Sequence, residues 1–392
     1  MPASTTPTTP LDGRDWRTLV AGTAVVVAGV LPGFLTASLA PRIRVDFAFG
    51  DSALGLAVAI FYVVSALAST PAGRLVERIG ATSAIRLGVA MTTASCLGVA
   101  AFAQSAAGLI ALILAGGVGN AIAGPAVSAM LRREVATHRQ GLAFGAQMSG
   151  ATTGALLAGL ALPAIGIPFG WRWAFVGAAA LGLAAASLAP PAPAAAASST
   201  ERETHSRGLG PVHALALAAA FASAAGVGFV SFLVTYSVDS GISEGAAGVL
   251  LGGVSLAATL SRIALGAAAD RSGQKALRPV PVMLVLSVAG YLLLIVGEPA
   301  VIVFAALLAG GVGWAWPGAL TLAVVQRSPN APAWAVGVMM TGLFAGAVIG
   351  PLLVGLLAEN DAFTGAWIMC ACFALLAAAT IVATRRFEEA QS

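Results

Sequence analysis

Charge is scarce in this sequence. Only 9% of its 392 residues are Asp, Glu, Lys or Arg, against roughly 25% in an average soluble domain. Hydrophobic residues make up 58%, more apolar surface than a soluble fold of this length can bury. Cysteine is scarce, and Cys96, Cys370 and Cys372 all fall inside apolar runs without metal or disulfide spacing, so they read as small buried hydrophobes. The three histidines, His138, His205 and His213, are isolated, with no His-Glu or Cys-Cys metal pattern. No metal centre, cofactor or enzymatic acid–base pair is therefore expected. A Gly-x-x-x-x-Gly-Lys-Ser/Thr loop is missing, which argues against ATP-driven chemistry. The formal charge of +4 is scattered in short clusters between apolar runs, a pattern that reports membrane topology rather than a nucleic-acid partner.

The apolar runs are about 20 residues long and uninterrupted, the length of a membrane-crossing helix and too long for the alternating strands of a barrel. Windows bounded by charge, Pro or Gly predict spans near 17–40, 51–73, 81–103, 107–131, 141–163 and 171–190. A second set follows near 212–237, 245–268, 279–297, 300–325, 334–357 and 363–384. The fold class expected is an all-α membrane protein, twelve transmembrane helices in two pseudo-symmetric six-helix bundles. Its parts are a tail at 1–16, a bundle at 17–190, a linker at 191–211, a bundle at 212–385 and a tail at 386–392. The Pro- and Thr-rich start reads as a disordered tail, and the first apolar run is too long for a signal-peptide core.

Twelve spans put both termini on one side. With that side cytoplasmic, Arg42, Arg44 and Arg172 alone among the basic residues fall outside, and Arg262 alone lies within a span. The positive-inside rule is then strongly satisfied. Arg outnumbers Lys so far, with Lys275 the single lysine, and Ala and Gly are so frequent that a GC-rich bacterial genome is indicated. The expected location is a bacterial cytoplasmic membrane.

The sequence repeats itself. Leu114-Ala115-Gly116-Gly117-Val118-Gly119 returns as Leu308-Ala309-Gly310-Gly311-Val312-Gly313. Gly73, Glu77, Arg78 and Gly80 match Gly266, Asp270, Arg271 and Gly273, and Gly145, Gly150 and Gly154 match Gly337, Gly342 and Gly346. The three offsets agree to within two residues, which identifies an internal duplication.

Two six-helix halves with a Gly-x-x-x-Asp-Arg-x-Gly signature after the second span of each resemble the major facilitator superfamily of secondary transporters. The signature is intact at Gly266–Gly273 and altered in the first half, where Glu77 supplies the acid and Ala81-Thr82 stand in place of a basic pair. Physically, the acid can accept hydrogen bonds from the N-terminus of a neighbouring helix, while the adjacent Arg pairs with carboxylates. The resemblance implies that Gly73, Glu77, Arg78, Gly80, Gly266, Asp270, Arg271 and Gly273 form a gate that latches the halves; simple topology anchoring is the alternative. Gly150, Gly154, Gly342, Gly346 and the Gly350-Pro351 pair belong to Gly-striped spans suited to close helix packing. Drug antiporters of the family carry such a Gly-Pro pair in the fifth span and an Arg where Ile113 stands here, so this chain departs from them.

Ionisable groups within spans are functional candidates by default, and the sixteen acids all lie in tails, loops or span ends. Arg262 could meet an anionic substrate or make a structural pairing. Tyr62, Asn120, Gln147, Tyr236, Trp314 and Trp316, with Arg262, are the candidate substrate-binding set, each with a helix-packing alternative. Asn120 and Trp314 stand out because they follow the two copies of the duplicated hexapeptide. The expected partners are a small-molecule substrate and the lipid bilayer, with protons as a candidate coupling ion, no nucleic acid, and a monomer as the working unit. Two cargo classes fit: drugs or metabolites for export, and small anions for import, the latter through a loose similarity of Gly116–Gly119, Pro125 and Arg132-Arg133 to cyanate-type transporters.

Overall fold

The computed structural model describes residues 13–47, 51–188, 209–272, 277–358 and 363–390. Gly273, the tail before residue 13 and the linker as far as residue 208 lie outside them. The chain is helical throughout what is described. In the first half come α1 (Gly13–Ser38), α2 (Ala40–Phe47), α3 (Asp51–Ile79), α4 (Ala81–Phe102), α5 (Ala106–Glu134), α6 (Gln140–Ala161) and α7 (Trp171–Leu188). The second half has α8 (Leu209–Asp239), α9 (Glu244–Ser272), α10 (Val280–Leu294), α11 (Pro299–Ala306), α12 (Trp316–Arg327), α13 (Pro332–Ala358) and α14 (Phe363–Glu389). Among the described residues eleven stretches are long and apolar enough to cross a membrane. The ninth span, α10, has 15 regular residues, about 22 Å at 1.5 Å per residue.

Several boundaries move. Helix persists beyond the apolar windows into the expected tails and linker: α1 starts at Gly13, α8 at Leu209 and α14 ends at Glu389. Backbone bonding does not stop where hydrocarbon does, so charged residues continue a helix into the polar zone. The short α2, inserted after the first span, was not expected.

A larger difference concerns the tenth span, expected as one helix over 300–325. It is broken. After α11 comes a π-helical turn at Leu307–Val312, and α12 begins afresh at Trp316 with Pro317 in its first turn. The duplicated hexapeptide in the first half runs straight through α5. The difference lies just downstream, where Ala123 of the first copy corresponds to Pro317 of the second. Proline lacks the N–H that would bond back to the Gly313 carbonyl and its ring crowds that turn, and the three glycines before it hold helix weakly.

The start of α1 and the end of α14 lie on one face of the bundle, called here the terminal face; the opposite one is the far face. Buried apolar residues form three cores. Two sit toward the far face, one within each half: Leu35, Phe61, Ile113 and Phe175 in the first, Phe229, Tyr291, Ile302 and Trp367 in the second. The third lies toward the terminal face and is shared, joining Ile85, Val127 and Phe144 to Leu215, Leu320 and Met339. The halves are thus fused at one end and separately packed at the other.

Glycines set the closest helix approaches. A Cβ on Gly342, Gly346 or Gly350 of α13 would meet the carbonyl oxygen of Ala216, Ala220 or Ala224 of α8. Their counterparts Gly150 and Gly154 in α6 face Thr23, Val26 and Val30 of α1 in the same manner. Small residues let the backbones touch, and the duplication assigns each copy the same neighbour. Gly346→Val should lower stability by about 1–3 kcal/mol through overpacking, read as a drop in unfolding temperature in detergent. Gly252→Ala in α9, where a Cβ would meet nothing within 4 Å, should leave it unchanged.

Candidate functional site between the halves

At the terminal face the two signature acids bridge the halves. Asp270, at the end of α9, accepts hydrogen bonds from the backbone amides of Gly141 (2.6 Å) and Leu142 (2.9 Å) at the start of α6. Glu77, near the end of α3, accepts from Ala333 (2.6 Å) and Trp334 (3.3 Å) at the start of α13. Both are helix N-termini, whose first amides lack partners within their own helix and carry partial positive charge. Gly73 and Gly266 let the strands of this contact come together: a Cβ on either would collide with the backbone of Ala333 or Gly141 across the interface. Gly80 takes a positive φ of 82° at the tight connection into α4, a conformation glycine adopts without steric cost. Arg78 and Arg271 are exposed. Arg132 adds a further crossing, donating from Nη1 to the Val325 carbonyl at 2.9 Å.

Nearer the midplane the crossings are made by hydroxyls and one cation. Thr70 and Thr341 share a 2.9 Å hydrogen bond, and Thr341 also donates to the Ala66 carbonyl. Thr152 and Thr259 form the matching 2.9 Å bridge between α6 and α9. Arg262, 3% exposed, reaches across the interface: Nη1 donates to the Met148 carbonyl at 2.8 Å and Nε to the Trp314 carbonyl at 3.0 Å. Its guanidinium carbon stands 5.1 Å from the Trp314 ring centre, within cation–π range. Trp314 sits in the break of the tenth span, so the side chain satisfies a carbonyl that regular helix would otherwise have bonded.

Beyond these bridges the halves part. Gly145 and Gly159 lie on nearly the same face of α6, about four turns apart, as do Gly266 and Gly252 on α9. At the terminal end, Cβ atoms on Gly145 and Gly266 would meet backbone of the opposing helix; Gly159 and Gly252 have nothing within 4 Å. Tyr62 stands at this divergence, its ring 6.2 Å from that of Phe344 across the interface. Its hydroxyl has no hydrogen-bond partner among the described residues.

The sequence-derived substrate set scatters. Tyr62, Arg262 and Trp314 lie at the interface. Asn120 is turned into the first half, donating to Ser65 Oγ at 3.1 Å. Gln147 does the same, donating to the Gly124 carbonyl (3.0 Å) and exchanging hydrogen bonds with Ser128. Trp316 is 1% exposed within the shared core. Tyr236 lies toward the far face of the second half, its hydroxyl donating to the Leu294 carbonyl, its ring packed on Trp367. The equivalence of Asn120 and Trp314 holds in sequence but not in setting, because the tenth span breaks and the fourth does not. Thr70, Thr152, Thr259, Phe344 and Met148 were missed: a threonine or a carbonyl in an apolar run has no sequence signal until the facing helix is known.

On the far face of the first half, α2 closes a cleft of about 460 Å³ lined by Arg42, Asp46, Phe169, Trp171, Arg172 and Trp173. Asp46 accepts from Trp171 Nε1 (2.8 Å) and Arg172 Nη1 (3.1 Å), tying α2 to the start of α7. Trp173 and Phe169 are exposed there, as aromatic residues at a membrane–water interface are.

Three comparisons bear on this architecture. The family model of the Major Facilitator Superfamily matches residues 19–236 and again 214–392. A segment of 135 residues, 34% of this chain, is 28% identical to an uncharacterized MFS-type transporter, Rv1250, of Mycobacterium tuberculosis, of which it spans 23%. Among solved structures, the E. coli fucose:proton symporter FucP superposes with a TM-score of 0.76 at 14% identity, covering 93% of this chain and 98% of that one. The proton:xylose symporter XylE gives 0.78 at 14% identity, covering 93% and 94%. FucP in an outward conformation gives 0.74 at 13% identity, covering 93% and 98%. With a family model matched along nearly its whole length, a fold shared with these two transporters, and both halves carrying the duplicated acid at a helix N-terminus of the other, the chain belongs to the Major Facilitator Superfamily of membrane transporters.

Proposed function

We propose that the protein moves a small organic solute across a bacterial cytoplasmic membrane by alternating access, as a monomer, with the terminal face cytoplasmic. The observation that carries this reading is the shared core at the terminal face against the two separate cores at the far face. That arrangement is what one member of an alternating pair requires: sealed at one end, accessible at the other. The outward orientation rests on the positive-inside distribution of arginine. The site is the floor of the far-facing space, where Tyr62 offers an uncommitted hydroxyl and Thr70, Thr341, Thr152 and Thr259 close the path. Asp270 and Glu77 serve as gates, holding the terminal face shut without touching solute.

FucP and XylE are proton symporters of sugars, and the shared fold makes coupled uptake of a polar solute the first transport mode to assay. Export of metabolites or drugs is the competing direction. Flux into liposomes in both orientations, with and without a pH gradient, separates the two.

Two outcomes test the mechanism without knowledge of cargo. Replacing Asp270 by Asn keeps the shape but removes the charge and sets an NH2 donor against one of the two backbone amides, so one charge-assisted hydrogen bond, worth about 1.5–3 kcal/mol, is lost and the other weakened. Distances between spin labels across the terminal face should lengthen in Asp270→Asn, and exchange flux should slow with little change in solute affinity. An unchanged distance distribution and unchanged turnover would remove Asp270 from the gate. Second, in a background lacking Cys96, Cys370 and Cys372, the pair Thr70→Cys and Thr341→Cys should form a disulfide that stops flux, with reductant restoring it. Full flux through the oxidised protein would exclude rocking of the halves about this floor.

A further inference from the structure

Among the described residues Arg262 carries the one charge buried at the midplane of the interface, and its partners are unusual for such a group. It forms no ion pair among the described residues, its bonds go to two backbone carbonyls, and Nη2 has no hydrogen-bond partner there. Asp270, the nearest acid along α9, lies two turns away and is committed to Gly141 and Leu142. A cation without a counter-charge in a low-dielectric setting is costly, and carbonyl dipoles compensate it in part. Such a site gains most from a ligand that brings the missing negative charge.

The surroundings define how that ligand would arrive. Thr259 precedes Arg262 by three residues and Thr152 follows Met148 by four, so the Thr152–Thr259 bridge stacks one turn farther toward the far face on the same helix surfaces. A solute descending from the open end meets these hydroxyls first and the guanidinium next. Trp314, half-buried, sets its ring beside the guanidinium and makes the wall there apolar. A guanidinium with two of its edges in play matches the planar, two-oxygen geometry of a carboxylate.

Resting on the reading of this floor as the solute site, we propose that the substrate is a small organic monocarboxylate and that Arg262 is both its anchor and the sensor of its arrival. The carboxylate takes Nη1 from the Met148 carbonyl, the contact between α6 and α9 is lost at that level, and the terminal face is freed to open. Empty, Arg262 holds the halves together; loaded, it holds the solute. No bond is made or broken covalently, and no co-reactant is needed.

The test uses the purified full chain in detergent, with acetate, butyrate, benzoate and salicylate as probes and their primary amides as uncharged controls. Carboxylates should raise the unfolding temperature and the amides should not. Arg262→Gln sets an amide N–H where Nε donates to the Trp314 carbonyl but brings no charge; it should remain folded and lose apparent carboxylate affinity by about tenfold or more. If it fails to purify as a monodisperse species, Arg262→Lys carries the test: it keeps the charge, loses the fork and should weaken binding while leaving the amides inert. Carboxylate shifts that persist in both variants, amides that match their acids, or a wild type unmoved by every carboxylate would each overturn the proposal. Liposome flux is read separately. Arg262-dependent binding without flux would sink the transport reading and leave the anion site; flux of neutral solutes alone, indifferent to Arg262, would do the reverse.

Discussion

The first amides of α6 and of α13 have no acceptors in their own helices, and in each case the acceptor is a carboxylate from the opposite half. Much else in the structure follows from those two ends. For Asp270 to reach Gly141 and Glu77 to reach Ala333, the helix pairs α6/α9 and α3/α13 must come into backbone contact, which is why Gly73, Gly141, Gly145, Gly266 and Gly337 line those seams. Backbone contact at that end brings the apolar residues behind the seams into one core. Since the helices are straight enough to diverge from it, the far ends separate and each half must bury its own apolar surface there. A dipole-to-carboxylate contact of this kind is strong when desolvated and weak once water enters.

Much of this was legible in the sequence. Spans, their count and the duplication were readable because hydrocarbon imposes a length and a composition, and because glycine at a seam has no substitute. The partnership of Asp270 and Glu77 with helix N-termini could be anticipated from the chemistry of an acid at a helix end. The candidate solute site was less legible. Asn120 and Gln147 look alike in sequence to residues that face a cavity, yet both spend their amides inside the first half, where a buried polar group must find partners. Tyr236 and Trp316 went to interior packing for the same reason that large aromatic side chains usually do. The threonine bridges were invisible because a hydroxyl can bond back to its own helix, as Ser65, Ser69 and Thr36 do, and nothing in the sequence says which hydroxyls cross instead.

The tenth span shows how little is needed to separate two copies of one design. Six identical residues continue as plain helix in α5 and as a π turn with a break before α12, according to whether Ala123 or Pro317 follows. In mechanical terms the fourth span is one continuous helix while its counterpart in the second half is jointed, and the joint lies beside Arg262, which bonds to both halves. A motion that began as a symmetric rocking in the ancestral pair would now bend at the joint first. The duplicated bundles have become a frame and a lever, and the lever's elbow is the Trp314 carbonyl that Arg262 holds.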